Sequence, residues 1–175
     1  MIGHGFEQGL ISLWDLSTGS GCSRFTLSQR LHAAGITPIV EIKDNHPLSP
    51  GSLYSPSDFV KYVNTFWHDA AKCTSRRGRT KAADSKAGSP GVIYIIGSDT
   101  GLYKIGFTTS LINRLALFNS TCPGKLWVEH IILADKHMRA EAIIHHEFRS
   151  KCVKAEWFAL DAEDLKMIKR VKRIK

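Results

Sequence analysis

Cysteine is scarce in this chain and poorly arranged for cross-linking. The four cysteines, Cys22, Cys73, Cys122 and Cys152, lie far apart and form no C-x-x-C pair. That spacing argues against a disulfide framework or a zinc site and fits reduced thiols. No apolar run approaches the roughly 18 residues of a membrane span, so no membrane partner is expected. The opening MIGHGFEQGL lacks the basic-then-apolar order of an export signal, and the expected compartment is the cytoplasm. Acidic side chains are outnumbered, 16 against 24 lysines and arginines, for a net charge of +8. The imbalance favours a polyanionic partner, nucleic acid before any other, and no small-molecule cofactor is expected.

The basic excess is unevenly spread. Residues 1–71 hold 4 basic and 6 acidic side chains, residues 72–90 hold 6 and 1, and residues 91–175 hold 14 and 9. The middle segment, KCTSRRGRTKAADSKAGSP, has no hydrophobic periodicity and reads as a flexible, solvated linker. Arg76, Arg77 and Arg79 in it are candidates to grip DNA phosphates without sequence preference. The linker therefore divides the chain into an N-terminal module (1–71) and a C-terminal domain (91–175).

In the N-terminal module a helix is expected from near Leu10 through Trp14 and Leu16 to the glycines Gly19 and Gly21. Ser23 then caps a second helix, Arg24–Ala34, stopped by Gly35. Leu16, Cys22, Leu27 and Leu31 point inward, and the second helix offers Arg24, Thr26, Ser28, Gln29 and Arg30 to phosphates and base edges. Two short extended runs around DNHPLSPG form a wing, and Ser55-Pro56-Ser57-Asp58 starts a helix through Phe59, Tyr62 and Val63. This order resembles the winged helix-turn-helix modules of phage and excisionase-type proteins, which implies binding to double-stranded DNA.

The C-terminal domain opens with a β-hairpin: strands Val92–Ile96 and Leu102–Phe107 around the turn Ser98-Asp99-Thr100-Gly101. A helix over Ser110–Asn119 follows, with Leu111, Leu115 and Phe118 on one face and Arg114 near the other. Then come a strand over Leu126–Leu133, a helix over Met138–Phe148 packed through Ala142, Ile144 and Phe148, and a last amphipathic helix, Asp161–Lys169, running into a basic tail. The fold class is α+β, a small antiparallel sheet flanked by helices.

Several separated motifs in this half resemble the GIY-YIG nuclease superfamily, in its phage-type DNA-binding branch. Val92-Ile93-Tyr94 stands at the first signature and Lys104-Ile105-Gly106 at the second. Arg114 stands at the helical arginine, Glu141 at the metal-binding glutamate, with His145, Phe148 and Glu156-Trp157-Phe158 beyond. The resemblance implies an endonuclease that hydrolyses DNA phosphodiester bonds with Mg²⁺. Glu141 would be the metal ligand, Arg114 the phosphate clamp, and Tyr94 the group that positions or deprotonates the attacking water. Lys104 would be a second cation or base, and His145, one helical turn from Glu141, would orient that carboxylate or shuttle a proton. One departure matters: a lysine replaces the second-signature tyrosine, and Tyr103 falls on the opposite strand face. The alternative is a DNA-binding regulator that keeps the fold without turnover.

Overall fold

The computed structural model describes residues 10–13, 16–17, 23–41, 51–74, 91–109, 111–122 and 124–174, and only the backbone of residues 66–74, 112, 113, 119, 120 and 137. Cys22, Arg76, Arg77, Arg79 and the wing tip lie outside the described residues.

The N-terminal part begins with strand β1 (Ile11–Ser12), which pairs antiparallel with β2 (Leu53–Tyr54). Leu13, Leu16 and Ser17 are helical as expected, but the helical start near Leu10 is corrected to a strand. Ile11 is β-branched and Ser12 competes for backbone hydrogen bonds, so neither holds a helix strongly. A partner distant in sequence satisfies their backbone instead. Val40 bridges to Leu53, so the two flanks of the expected wing meet.

Helix α1 (Arg24–Ala33) begins where the sequence places it, with the Ser23 hydroxyl accepting the Thr26 N–H at 3.1 Å. Leu27 and Leu31 are its buried stripe. Helix α2 (Pro56–Thr74) has proline at its first position, and the Ser57 N–H donates to Ser55 Oγ. The expected linker boundary at residue 72 falls within α2.

The C-terminal elements are β3 (Gly91–Ser98), β4 (Tyr103–Thr108), α3 (Leu111–Thr121), β5 (Leu126–Ala134), α4 (His137–Glu147), β6 (Cys152–Lys154), β7 (Trp157–Phe158), α5 (Ala162–Arg170) and β8 (Arg173–Ile174). The sheet order is β6-β7-β4-β3-β5-β8, antiparallel except for the β5–β8 pair. With the helices, this is the expected α+β class. The β3–β4 turn closes on Gly101, whose φ of +77° suits a residue without Cβ.

The last helix does not run on into the basic tail, as expected from the sequence. It stops at Arg170, and the next residues lie alongside β5 as β8, with Lys169 paired to Glu129 and Arg173 to Asp135. Pairing along the β5 edge satisfies backbone groups that a longer helix would leave to solvent.

Strand alternation sorts the core into two layers. Ile93, Ile95 and Ile105 face α4, whose buried stripe is Ala140, Ile144 and Phe148. Ala142, expected in that stripe, is exposed, because the contacts repeat at every fourth residue from 140. Tyr94, Ile96, Val128 and Ile131 face the other way and join Leu111, Leu115 and Phe118 of α3. The same cluster includes Phe59, Tyr62 and Val63 of α2 and Leu27 and Leu31 of α1.

Asn64 of α2 fastens this layer to the sheet. Its amide donates to the Val128 carbonyl at 2.7 Å and accepts the Val128 N–H at 2.8 Å, standing in for a neighbouring strand. Among the described residues, no helix is long and apolar enough to cross a membrane.

Candidate functional site

The hairpin register sets the site. Tyr94 lies opposite Gly106 and Ile96 opposite Lys104, so Tyr94, Gly106 and Lys104 share one sheet face. Tyr103 goes to the other layer, as alternation requires. The Tyr94 ring lies across β4 at Gly106: a Cβ there would overlap the phenol oxygen and sit 2.7 Å from Cζ. Glycine at position 106 therefore makes room for the tyrosine.

Tyr94 is 2 % exposed and meets Phe118 edge-on, with centroids 5.8 Å apart. Burial pushes its hydroxyl up to about 12, against the opposing pull of Arg114, while the Glu156 and Glu141 carboxylates raise it further. At neutral pH the phenol is protonated, so it is a hydrogen-bond donor and not a standing base. Of the two roles read from the sequence, positioning is the one its ionisation allows.

The three charges acting on this phenol come from α3, α4 and the β6–β7 turn, which brings Tyr94, Arg114 and Glu141 into one electrostatic neighbourhood. Arg114 is partly exposed on the α3 face beside Leu111, Leu115 and Phe118. Glu141 follows buried Ala140 on α4, at the border of the packed stripe, and its side chain is 18 % exposed.

His145 lies 4.0 Å from the Glu141 carboxylate. Its Nε2 is 3.1 Å from the Ile105 carbonyl, and its ring packs edge-on against Phe158. A carbonyl only accepts, so this bond requires the proton on Nε2. His145 is thus anchored to the signature strand while bordering the glutamate.

Lys104 extends this group. Its ammonium donates to Glu156 Oε2 at 2.6 Å and lies over the rings of Trp157 (5.6 Å) and Phe118 (5.9 Å). Sequence reasoning assigned Glu156 no role. It stood within the Glu156-Trp157-Phe158 motif, but pairing with a lysine 52 residues away is visible only in the folded sheet.

Among the described residues, no three His, Cys, Asp or Glu side chains gather as a metal-ligating group. The carboxylates here are Glu141, with His145 beside it, and Glu156, which is paired with Lys104.

On α1 the expected contact residues divide. Gln29 is exposed, whereas Arg24, Thr26, Ser28 and Arg30 are half-buried. The Thr26 hydroxyl is within 2.8 Å of Ser23 Oγ in the cap, and the Ser28 side chain is hydrogen-bonded with the Tyr54 hydroxyl. The outward ridge is Phe25, 73 % exposed, with Gln29 and His32; together with Ser28 they line a shallow cleft. Phe25 was not anticipated, since an aromatic residue next to a cap is ordinarily read as core.

The C-terminal half is a small α+β domain whose sheet buries Tyr94 on its α3 face and carries Glu141 and His145 on α4, against the other. Residues 91–174 match the T5orf172 domain family, a phage-type domain of DNA-binding or nuclease-like kind. No curated protein and no solved structure matches the chain.

Proposed function

We propose that this chain is a phage-type DNA-binding protein whose C-terminal domain is a GIY-YIG-like endonuclease using Mg²⁺. The observation that carries the reading is the hairpin register, which sets Tyr94, Gly106 and Lys104 on one face, with His145, beside Glu141, bonded to the Ile105 carbonyl of the same strand; the charges of Arg114 and Glu141 both act on the phenol. Phosphodiester hydrolysis needs a held phosphate, a directed water and neutralisation of charge on the phosphoryl oxygens. Arg114 clamps the scissile phosphate through its forked donors. Tyr94 donates its hydroxyl proton in a hydrogen bond that fixes the attacking water or a phosphoryl oxygen, and Lys104 adds a second cation. His145, fixed by the Ile105 carbonyl, borders Glu141 at 4.0 Å and would limit where that carboxylate can move.

A single carboxylate suits a magnesium-type ion, which keeps several waters and takes its other oxygens from the phosphate. Glu141 would hold it, and the ion would supply Lewis-acid neutralisation of the phosphoryl oxygens. In the N-terminal part, the β1–β2 pairing and the Val40–Leu53 bridge beside α1 support a winged helix-turn-helix that engages double-stranded DNA, with α1 as its contact helix. Arg76, Arg77 and Arg79 would add phosphate contacts.

Plasmid nicking tests the enzyme reading. Wild type should nick in Mg²⁺ and not in chelator, and Arg114→Ala and Glu141→Ala should each lose about 10²-fold or more. Mg²⁺-dependent cleavage that survives both substitutions would refute the site. A second reading, a binder without turnover, is favoured by one specific observation: Lys104 is held by Glu156. It predicts salt-sensitive DNA binding and no cleavage with any divalent cation.

A further inference from the structure

Glu156 caps the head of Lys104. Its carboxylate lies 2.6 Å from the Lys104 ammonium and its side chain is 45 % exposed, against 16 % for the lysine. The lysine is confined: aromatic rings of Trp157 and Phe118 lie under its head, so the ammonium has a fixed position while its counter-ion reaches in from the surface. The backbone is bent to deliver that counter-ion. Ala155, immediately before Glu156, has φ +52°, the left-handed region that a residue with a Cβ seldom adopts. The turn is held there by the Ile105 N–H donating to the Glu156 carbonyl at 3.0 Å. In the resting pair the charge of Lys104 is cancelled by Glu156, so the lysine offers no net charge with which to attract a phosphate.

We infer that Glu156 is an internal phosphate mimic: its carboxylate occupies the Lys104 anion position, and a backbone phosphate of DNA must displace it to reach the lysine. The inference rests on the DNA-binding reading above and concerns affinity, not turnover. It has a consequence for affinity. In the wild type the Lys104–Glu156 pair must break before the lysine meets a phosphate, so removing the charge of Glu156 should take away that cost.

The test is equilibrium binding of the full chain to a short DNA duplex, with chelator present to prevent cleavage, at several salt concentrations. Glu156→Gln keeps the side-chain shape and should bind more tightly at low salt. The gain should shrink as salt rises, because the charge removed from the DNA-facing surface is screened. Adding Lys104→Gln to Glu156→Gln should abolish the gain, which a general change in surface charge would not. A wild-type chain that binds DNA and a Glu156→Gln chain with the same affinity at low salt, or a gain that persists without Lys104, overturns the mimic and leaves the DNA-binding reading intact. Absence of binding by every variant at low salt overturns both.

Discussion

At the scale of single residues, the buried phenol is the most constrained chemical group of the site. Its ionisation links function to stability. Tyr94 is raised from 10.0 to about 12 in the fold by burial, so the unfolded chain gives up this proton at lower pH than the folded one. The stability it confers is complete below about pH 10 and is lost as pH rises from 10 towards 12; the shift corresponds to roughly 2–3 kcal/mol. Urea unfolding of wild type and Tyr94→Phe between pH 8 and 11.5 should converge on the alkaline side, wild type losing stability faster. A constant difference across that range would mean the phenol is not held neutral by burial. The same argument bars Tyr94 as a base near pH 7 and leaves it as a donor. The sequence pointed to the tyrosine, the arginine and the glutamate through a family resemblance. It did not show which role burial leaves to the phenol, because that depends on Phe118 and the β4 backbone stacked on it. Glu156 was equally hidden, since a salt bridge across the sheet has no local pattern.

Among the elements, those legible in the sequence are the ones whose signals are local. Ser23 as a cap, Pro56 at a helix start, the Ser98–Gly101 turn and the buried triplet Leu111, Leu115 and Phe118 all follow from chemistry within a few residues. The elements misread are those decided by distant partners. Ile11–Ser12 became a strand because Leu53–Tyr54 is beside it, and Arg173–Ile174 because the β5 edge is open there. Asn64 belongs to this second kind: a polar residue on an amphipathic helix, ordinarily read as solvated, that pairs with both backbone groups of Val128. Asn64→Ala leaves that N–H and carbonyl without their partner, which should cost about 1–3 kcal/mol. For a chain of this size each kcal/mol corresponds to about 2–4 °C in Tm. Hydrogen exchange at the Val128 amide is the direct check. It should accelerate in Asn64→Ala, and unaltered protection would show that the helix is not fastened to β5 through this side chain.

Across the whole molecule, the question is how the N-terminal elements and the sheet depend on each other. The sequence places a linker at residues 72–90, which separates the two parts along the chain. The apolar side chains draw a different line, because Phe59, Tyr62 and Val63 of α2 share one cluster with Leu111, Leu115 and Val128. Burial of a large aliphatic or aromatic side chain contributes about 1.5–3 kcal/mol, so a cluster spanning both sides couples their stabilities. A fragment of residues 91–175 would uncover the α3 and β5 surface that α2 packs against, whereas a fragment of residues 51–175 would retain the helix. The shorter fragment should bind a hydrophobic dye and self-associate in sedimentation, and the longer one should remain monomeric with a Tm near that of the full chain. Equal behaviour of the two would mean that the sheet domain closes its own core and that α2 is a passenger on it. If the shorter fragment alone fails, Asn64 and its neighbours on α2 are part of the platform that supports Tyr94 and Arg114. Loss of nicking on truncation would then report a collapsed site, not the loss of DNA contacts.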